Sequence, residues 1–427
     1  MLSKNYDVVI IGGGTAGVSC AWNCAKLGLK TVIIEQNSYL GGSITSSLVI
    51  PAMKTSDNSI NNNFFDNLYK NLETLGGAIT YYDGNKGWFN PELTKIALDK
   101  MVEDAGVDVI FESHVKEVNI NENRILSLSI ESIYNDKLFD SESELSLSIV
   151  SKYYVDSTGD GNFCKKINCE ILENFENNFQ PMSLRYIMSG VNVEKFSNWL
   201  MDYDLDRDVT TSCTVGGCKY LSTAYTWDDN KKWALKPLFE RAIKDGVITE
   251  DDSNYFQMFS VAGTPDSIAF NAPRILNKNI SRSEAYIQGR ASILRLSNFC
   301  KQYLPGFEIS YISSIANTLG IRVSNRIKGK YIYTYEDLIN GKKFDNPVLI
   351  SNYPVDIHSN QKGCSTLEKI MQEYQLPIES LMSADYDNLF VIGRCISAEF
   401  KAQAALRIIP SCFSMGEGLA KYITKID

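Results

Sequence analysis

Gly12-Gly-Gly-Thr-Ala-Gly17 is a glycine-rich hexapeptide, and an acidic residue, Glu35, follows its first glycine by 23 positions. Together they have the spacing that handles a pyrophosphate and a ribose. Gly12 permits a tight turn, Gly14 lets backbone approach phosphate, and Gly17 lets helix and strand pack closely. Thr15 and Ala16 lie in the turn before a helix whose free N–H groups and partial positive charge suit the phosphates. Glu35, with Gln36 beside it, is placed to bind ribose hydroxyls. Gly41-Gly42 suits a loop that passes the diphosphate a second time.

Other chemistry-bearing residues are sparse. The chain has two histidines, His114 and His358, too far apart in sequence to make a case for a metal site. Arg322 and Arg326 are four apart, which on a helix puts both on one face. They could clamp a carboxylate, fix the cofactor, or form surface salt bridges. Cys213-Thr-Val-Gly-Gly-Cys218 has the C-x4-C spacing of a flavin disulfide reductase, but such a pair follows the first βαβ unit closely, whereas this one lies far along the chain. Idle or buried thiols are the competing reading there, and also for Cys395 and Cys412. No C-x2-C-x2-C run is present, which argues against an iron–sulfur cluster.

These residues need elements to position them. Asp7–Ile11 reads as a buried strand, 18–27 as a helix stopped by Gly28, and Lys30–Glu35 as a second strand. A helix is expected over 91–105 behind Pro91. Residues 108–130 alternate as in a β-meander, and acidic, serine-rich 134–147 reads as a solvated hairpin tip. Lys152–Asp156 predicts a strand that returns to the first sheet, and Asn388–Ile392 another, before a final helix from Pro410. The expected class is α/β: a Rossmann-type domain with parallel sheet and meander, in two parts (1–174 and 346–427), around an α+β substrate or cap domain (175–345).

FAD and NAD share the glycine fingerprint, and no second copy exists for a separate nicotinamide domain. The C-terminal segments Asn388-Leu-Phe-Val-Ile-Gly-Arg-Cys-Ile-Ser397, Ala405-Leu-Arg-Ile-Ile-Pro-Ser-Cys412 and Met415-Gly416 resemble those of the FAD-dependent oxidoreductase family. That family belongs to the glutathione-reductase-like flavoprotein superfamily and includes xanthan-lyase-like and heterodisulfide-reductase-related proteins. Ser351-Asn-Tyr-Pro-Val-Asp-Ile-His358 and Gly320-Ile-Arg-Val-Ser-Asn-Arg-Ile327 are similar to its Y-P-x-D-I-H and G-x-R-E-S-R-R-I segments. Val323 and Asn325 depart from the latter. The resemblance spans most of the chain outside about 175–265. It implies that Val115 touches adenine through its backbone and that Gly159 and Asp160 lie near the dinucleotide. It also implies that Gly393 and Arg394 lie by the ribityl chain or diphosphate. The helix from Pro410, carrying Cys412, would aim its N-terminus at the flavin pyrimidine edge. In this setting His358, beside Tyr353 and Asp356, is the candidate general acid/base, with a structural histidine as the alternative.

The bulk properties agree. A chain of 427 residues with net charge −9 suits a two-domain globular protein with no general affinity for nucleic acid or anionic membranes. With no signal-like start or membrane-length apolar run, a cytoplasmic address is expected. The expected activity is hydride transfer between a small organic substrate and FAD, with an electron donor or acceptor and an oligomeric state that are not legible here. A redox-neutral flavoenzyme or an electron-transfer subunit are the alternatives.

Overall fold

Parallel strands covered on both faces are apolar where they are covered, as Val8–Ile11 and Val32–Ile34 are. The computed structural model describes residues 3–132, 146–172, 179–223, 233–276, 279–358 and 365–427. Its first sheet places Ser3–Ile11 at the centre, parallel to Thr31–Ile34 on one side and Ser146–Asp156 on the other. Between the first two strands runs the helix Thr15–Lys26, three residues earlier at its start than the periodicity implied.

The expected meander resolves into two parts. Asp108–Ile110 is a separate outer strand, parallel to Thr31–Ile34. Glu112, at φ +49°, breaks the chain before the antiparallel pair Ser113–Asn121 and Arg124–Ser132. That pair continues onto the first half of Ser146–Asp156, whose last residues instead pair in parallel with Leu389–Val391. The tip predicted over 134–147 lies almost entirely outside the described residues. The helix Pro91–Ala105 starts and stops as its sequence predicts, with the Asn90 side chain accepting two first-turn N–H groups and Gly106 in the left-handed region at its end.

A second, antiparallel sheet has six strands in the order Thr210–Val215, Cys218–Thr223, Met258–Val261, Thr264–Phe270, Tyr186–Ser189 and Tyr311–Ile315. Its core is aromatic. Tyr186 stacks on Phe270 with ring centres 4.5 Å apart, and Phe256, Phe299 and Phe307 are fully buried nearby. The long helix Arg282–Tyr303 contributes Phe299 to this core. Among the described residues, no helix is long and apolar enough to cross a membrane.

The C-terminal helix, Ile409–Ile426, packs along Thr15–Lys26. The two backbones meet at Gly416, where a Cβ would lie 2.4 Å from the Ala16 carbonyl oxygen and 2.7 Å from the Cys20 nitrogen. Ser19 Oγ donates to the Phe413 carbonyl at 2.8 Å and closes the same contact. Gly416→Ala must therefore push the helices apart. We expect a loss of about 1–3 kcal/mol, the usual cost of overpacking, read as a lower urea midpoint with an unchanged m-value. An unchanged midpoint would show that the contact is not tight.

Candidate cofactor and active site

The parallel strands end in register. Ile11 pairs with Ile34 and Asp156, Ile34 with Ile110, and Asp156 with Val391. Their carboxyl ends form one edge, where open α/β sheets bind ligands. The turns that leave it hold most of the residues predicted to bind the cofactor.

Close backbone approach shapes the first of these turns. Gly12 has φ +97°, and a Cβ on it would sit 2.7 Å from the Ser157 carbonyl oxygen. A Cβ on Gly17 would sit 2.1 Å from the Gly12 carbonyl oxygen, and one on Gly42 2.8 Å from Gly14 Cα. Gly14 and Gly41 form a parallel bridge, and Thr15 Oγ1 donates to the Gly41 carbonyl at 3.1 Å. This leaves a cradle of bare backbone around first-turn N–H groups that have no intrahelical acceptor. Such a cradle fits a pyrophosphate.

Glu35 is buried where its strand ends. Its carboxylate accepts from the Gly13 N–H (2.7 Å), the Asn37 N–H (2.8 Å) and the Asn37 amide (2.6 Å). Burial raises its pKa against these donors. They use three of the roughly four lone-pair sites of a carboxylate. Gln36 beside it is exposed. The Ser113 N–H donates to the Glu35 carbonyl at 3.0 Å, which puts buried Val115 on the adjoining strand.

Asp160 joins the third turn to the fourth. It bonds Arg394 and Arg282, each at 2.5 Å. Burial works to raise its pKa, but the two guanidiniums outweigh it and bring the carboxyl down to about 2. Gly159 lies against Arg394, and its carbonyl accepts from Ser324 Oγ at 3.3 Å. Asn325, which departs from the family pattern, donates to the Asp160 carbonyl at 3.0 Å. A Cβ on Gly393 would lie 3.5 Å from Ala16 Cβ. Pro410 and Cys412 lie in the first turn of the C-terminal helix.

Burial pushes the Cys412 thiol up to about 12 and the Cys395 thiol higher, so neither is a thiolate near neutral pH. Cys213 and Cys218 occupy one face of the hairpin in the second sheet and are both free.

A second constellation hangs on the stretch Gln180–Arg185. The Gln180 side-chain oxygen accepts from the His358 N–H (3.1 Å) and faces Arg407 (3.4 Å). The Pro181 carbonyl accepts from Arg322 at 2.7 Å. Ser183 pairs with Arg274 and bridges Gly320. Arg185 donates to the Leu48 and Ile50 carbonyls, both at 3.3 Å, in the loop that follows Gly42. This last contact ties the constellation to the cofactor cradle.

Within it, His358 Nε2 lies 3.4 Å from Asp356 Oδ1, and Arg407 donates to the Asp356 carbonyl at 2.9 Å. Burial, then the Arg274 and Arg322 charges, hold the imidazole well below its ordinary pKa, against the pull of Asp356. Burial favours a neutral Asp356, but His358, Arg407 and Arg322 overcome it and keep the carboxyl far below the usual range. A neutral imidazole oriented by an ionised carboxylate can accept a proton.

Arg322 and Arg326 lie on no helix, so the shared face expected from their spacing does not form. Arg322 joins His358. Arg326 belongs to the short strand Arg326–Ile327 and donates to the Ala398 carbonyl at 2.8 Å. His114 is exposed on the meander, 3.6 Å from Glu131. Asp356 and Arg407 stood inside the segments quoted above without being singled out for chemistry. Arg185 and Arg274 carried no signal in the sequence. From the geometry at Glu35, Glu35→Ala should weaken FAD retention by about 10- to 100-fold, since a hydrogen bond to a charged group is worth about 1.5–3 kcal/mol. Fluorescence titration of the refilled apoprotein measures this, and an unchanged dissociation constant would remove Glu35 from the cofactor site.

Comparison with known proteins places this geometry. Residues 7–423 match the family described as FAD dependent oxidoreductase. Thiamine thiazole synthase from Aeropyrum pernix is 47% identical over 38 residues, 9% of this chain and 14% of that protein. Mitochondrial dihydrolipoyl dehydrogenase from Caenorhabditis elegans is 40% identical over 65 residues, 14% of this chain and 13% of that protein. The chain thus matches about one-seventh of the length of these curated relatives. Among solved structures, a geranylgeranyl bacteriochlorophyll reductase-like protein from Thermoplasma acidophilum is similar over 99% of this chain and 79% of its own, with a TM-score of 0.48 at 14% identity. The match over 7–423 covers nearly all of the sequence, and the chain belongs to the FAD-dependent oxidoreductase family.

Proposed function

We propose that the protein transfers a hydride between a small organic substrate and FAD, with His358 handling the accompanying proton. The observation that carries this reading is a largely buried imidazole 3.4 Å from Asp356, its pKa held down by burial and by Arg274 and Arg322, in a constellation tied through Arg185 to the loop beyond Gly42. Bound FAD supplies a two-electron acceptor at its N5. His358 takes the proton from a substrate O–H or N–H as the C–H bond breaks. Asp356 orients the imidazole, and Arg322 anchors the substrate. In this reading residues 1–174 and 346–427 carry the cofactor, and 175–345 cover the substrate. A separate electron acceptor restores the oxidised flavin. The finer likeness, to xanthan-lyase-like and heterodisulfide-reductase-related proteins, is supported by the C-terminal segments and not by the curated relatives.

His358→Ala should retain FAD and slow flavin reduction by substrate about 10²–10⁴-fold, the usual contribution of a general base. Anaerobic stopped-flow measurement decides it, and wild-type reduction rates in the variant would remove the role. Arg322→Ala should act mainly on KM.

The pH dependence has a definite sign. The base works when unprotonated, and its pKa in the free protein lies well below the ordinary 6.5. The kcat/KM profile should therefore stay level as pH falls through 6.5 and drop only at lower pH. A break at 6.5 would show a histidine exposed to solvent.

A further inference from the structure

We infer that the arginine cluster is a receptor for a small dicarboxylate, which rests on the reading of this pocket as the substrate site and names the substrate class. Arg185, Arg274, Arg322 and Arg407 act on one another electrostatically, and Asp356 is the carboxylate that faces them. Arg274 and Arg322 are each only 7% exposed. Among the described residues, four guanidiniums against one carboxylate leave an excess of positive charge, and Arg274 and Arg322 carry it in the interior. A fold does not keep such an excess for its own stability, because desolvating unpaired charge costs several kcal/mol.

Arg274 shows what the excess is for. Its guanidinium stacks over the Tyr255 ring, 3.8 Å from the ring centre, and none of its three nitrogens has a carboxylate or carbonyl acceptor among the described residues. The Tyr255 hydroxyl donates elsewhere, to the Gln257 side chain at 2.9 Å. The Nε of Arg185 and the Nε of Arg407 are likewise unpartnered. Burial and mutual repulsion work to strip protons from Arg185 and Arg322. Arginine nevertheless keeps its proton in proteins, so the field is met by an anion and not by deprotonation.

The anion must be small, because Arg274 and Arg322 are buried. A monoanion leaves more than one guanidinium uncompensated, whereas a dianion together with Asp356 nearly balances four. A planar fork of N–H donors fits the flat two-oxygen edge of a carboxylate, and an organic acid also brings the carbon that a flavoenzyme oxidises. Binding would set negative charge beside Arg274 and Arg322 and so offset their repulsion of a proton on His358. Among the described residues, Arg274, Arg322, Asp356 and the Tyr255 ring face this imidazole.

The test is calorimetric titration of the FAD-loaded protein with malonate, succinate and glutarate. Acetate serves as the monoanion, succinamide as the neutral isostere and sulfate as a tetrahedral dianion. We expect at least one dicarboxylate to bind more tightly than acetate, with succinamide silent. Arg274→Ala should weaken that dicarboxylate about 10- to 100-fold at unchanged FAD content. Arg274→Lys should recover only part of the loss, because an ammonium cannot donate as a fork. Should Arg274→Ala fail to hold FAD, the Lys variant and the wild-type ranking still decide. Dicarboxylates no tighter than acetate or succinamide, sulfate tighter than every carboxylate, or unchanged affinity in a folded Arg274 variant would each overturn the proposal. Tight, Arg274-dependent binding without flavin reduction by any organic acid would leave the receptor standing and count against hydride transfer instead.

Discussion

At the cofactor edge, peptide backbones run so close together that no side chain fits between them. A Cβ on Gly12 would strike Ser157, one on Gly17 would strike Gly12, and one on Gly42 would strike Gly14. Because those backbones can touch, the turns after three strands converge on the start of one helix. Gly416 repeats the device far along the chain and lets the C-terminal helix seat its first turns against the same helix. Gly393 completes the arrangement from the last strand. Segments nearly 400 residues apart thus share one small volume, held by packing and by main-chain hydrogen bonds.

The second constellation follows a different logic. At the edge, bare backbone and helix polarity create an attraction for phosphate without burying any formal positive charge. Around Asp356 the fold buries guanidiniums outright. It tolerates them because Gln180, Pro181, Leu48 and Ile50 give three of the four a backbone or side-chain acceptor. Asp356 stays ionised despite its burial. The same surroundings keep His358 neutral, since a proton there would add to the local excess. In the proposed reading, substrate anchoring and proton affinity are coupled through a common electrostatic field, with the arginines setting both.

Asp160 stands between the two regions and shows how a salt bridge can join elements. It lies in the turn that follows the strand ending at Asp156 and receives Arg394 from the last strand's turn and Arg282 from the start of the long helix. Asn325 and Ser324 hold the same turn through its carbonyls. Two residues upstream, Arg322 faces the other way, into the arginine cluster. A single extended stretch therefore braces the turn at Gly159–Asp160 and places Arg322 in the arginine cluster. A helix could not do this with residues four apart.

What the sequence alone determined was local. The strand, glycine turn, helix and Glu35 lie within 35 residues, and the turn follows from a close backbone approach that only glycine permits. The helix 91–105 was readable from Pro91, and the structure caps it with Asn90 and Gly106, contacts between near neighbours. Other features depended on partners distant in the chain. The split of 108–130 into an outer parallel strand and a hairpin was decided by pairing with Thr31–Ile34. The parting of Arg322 from Arg326 was decided by the bridge from Gly320 to Ser183. Arg185 and Arg274 have no distinguishing neighbours in sequence, and their significance comes from burial and from the charges placed around them. Periodicity and spacing report contacts across a few residues, whereas an electrostatic field is set by every group the fold brings close, and only the tertiary structure could decide it.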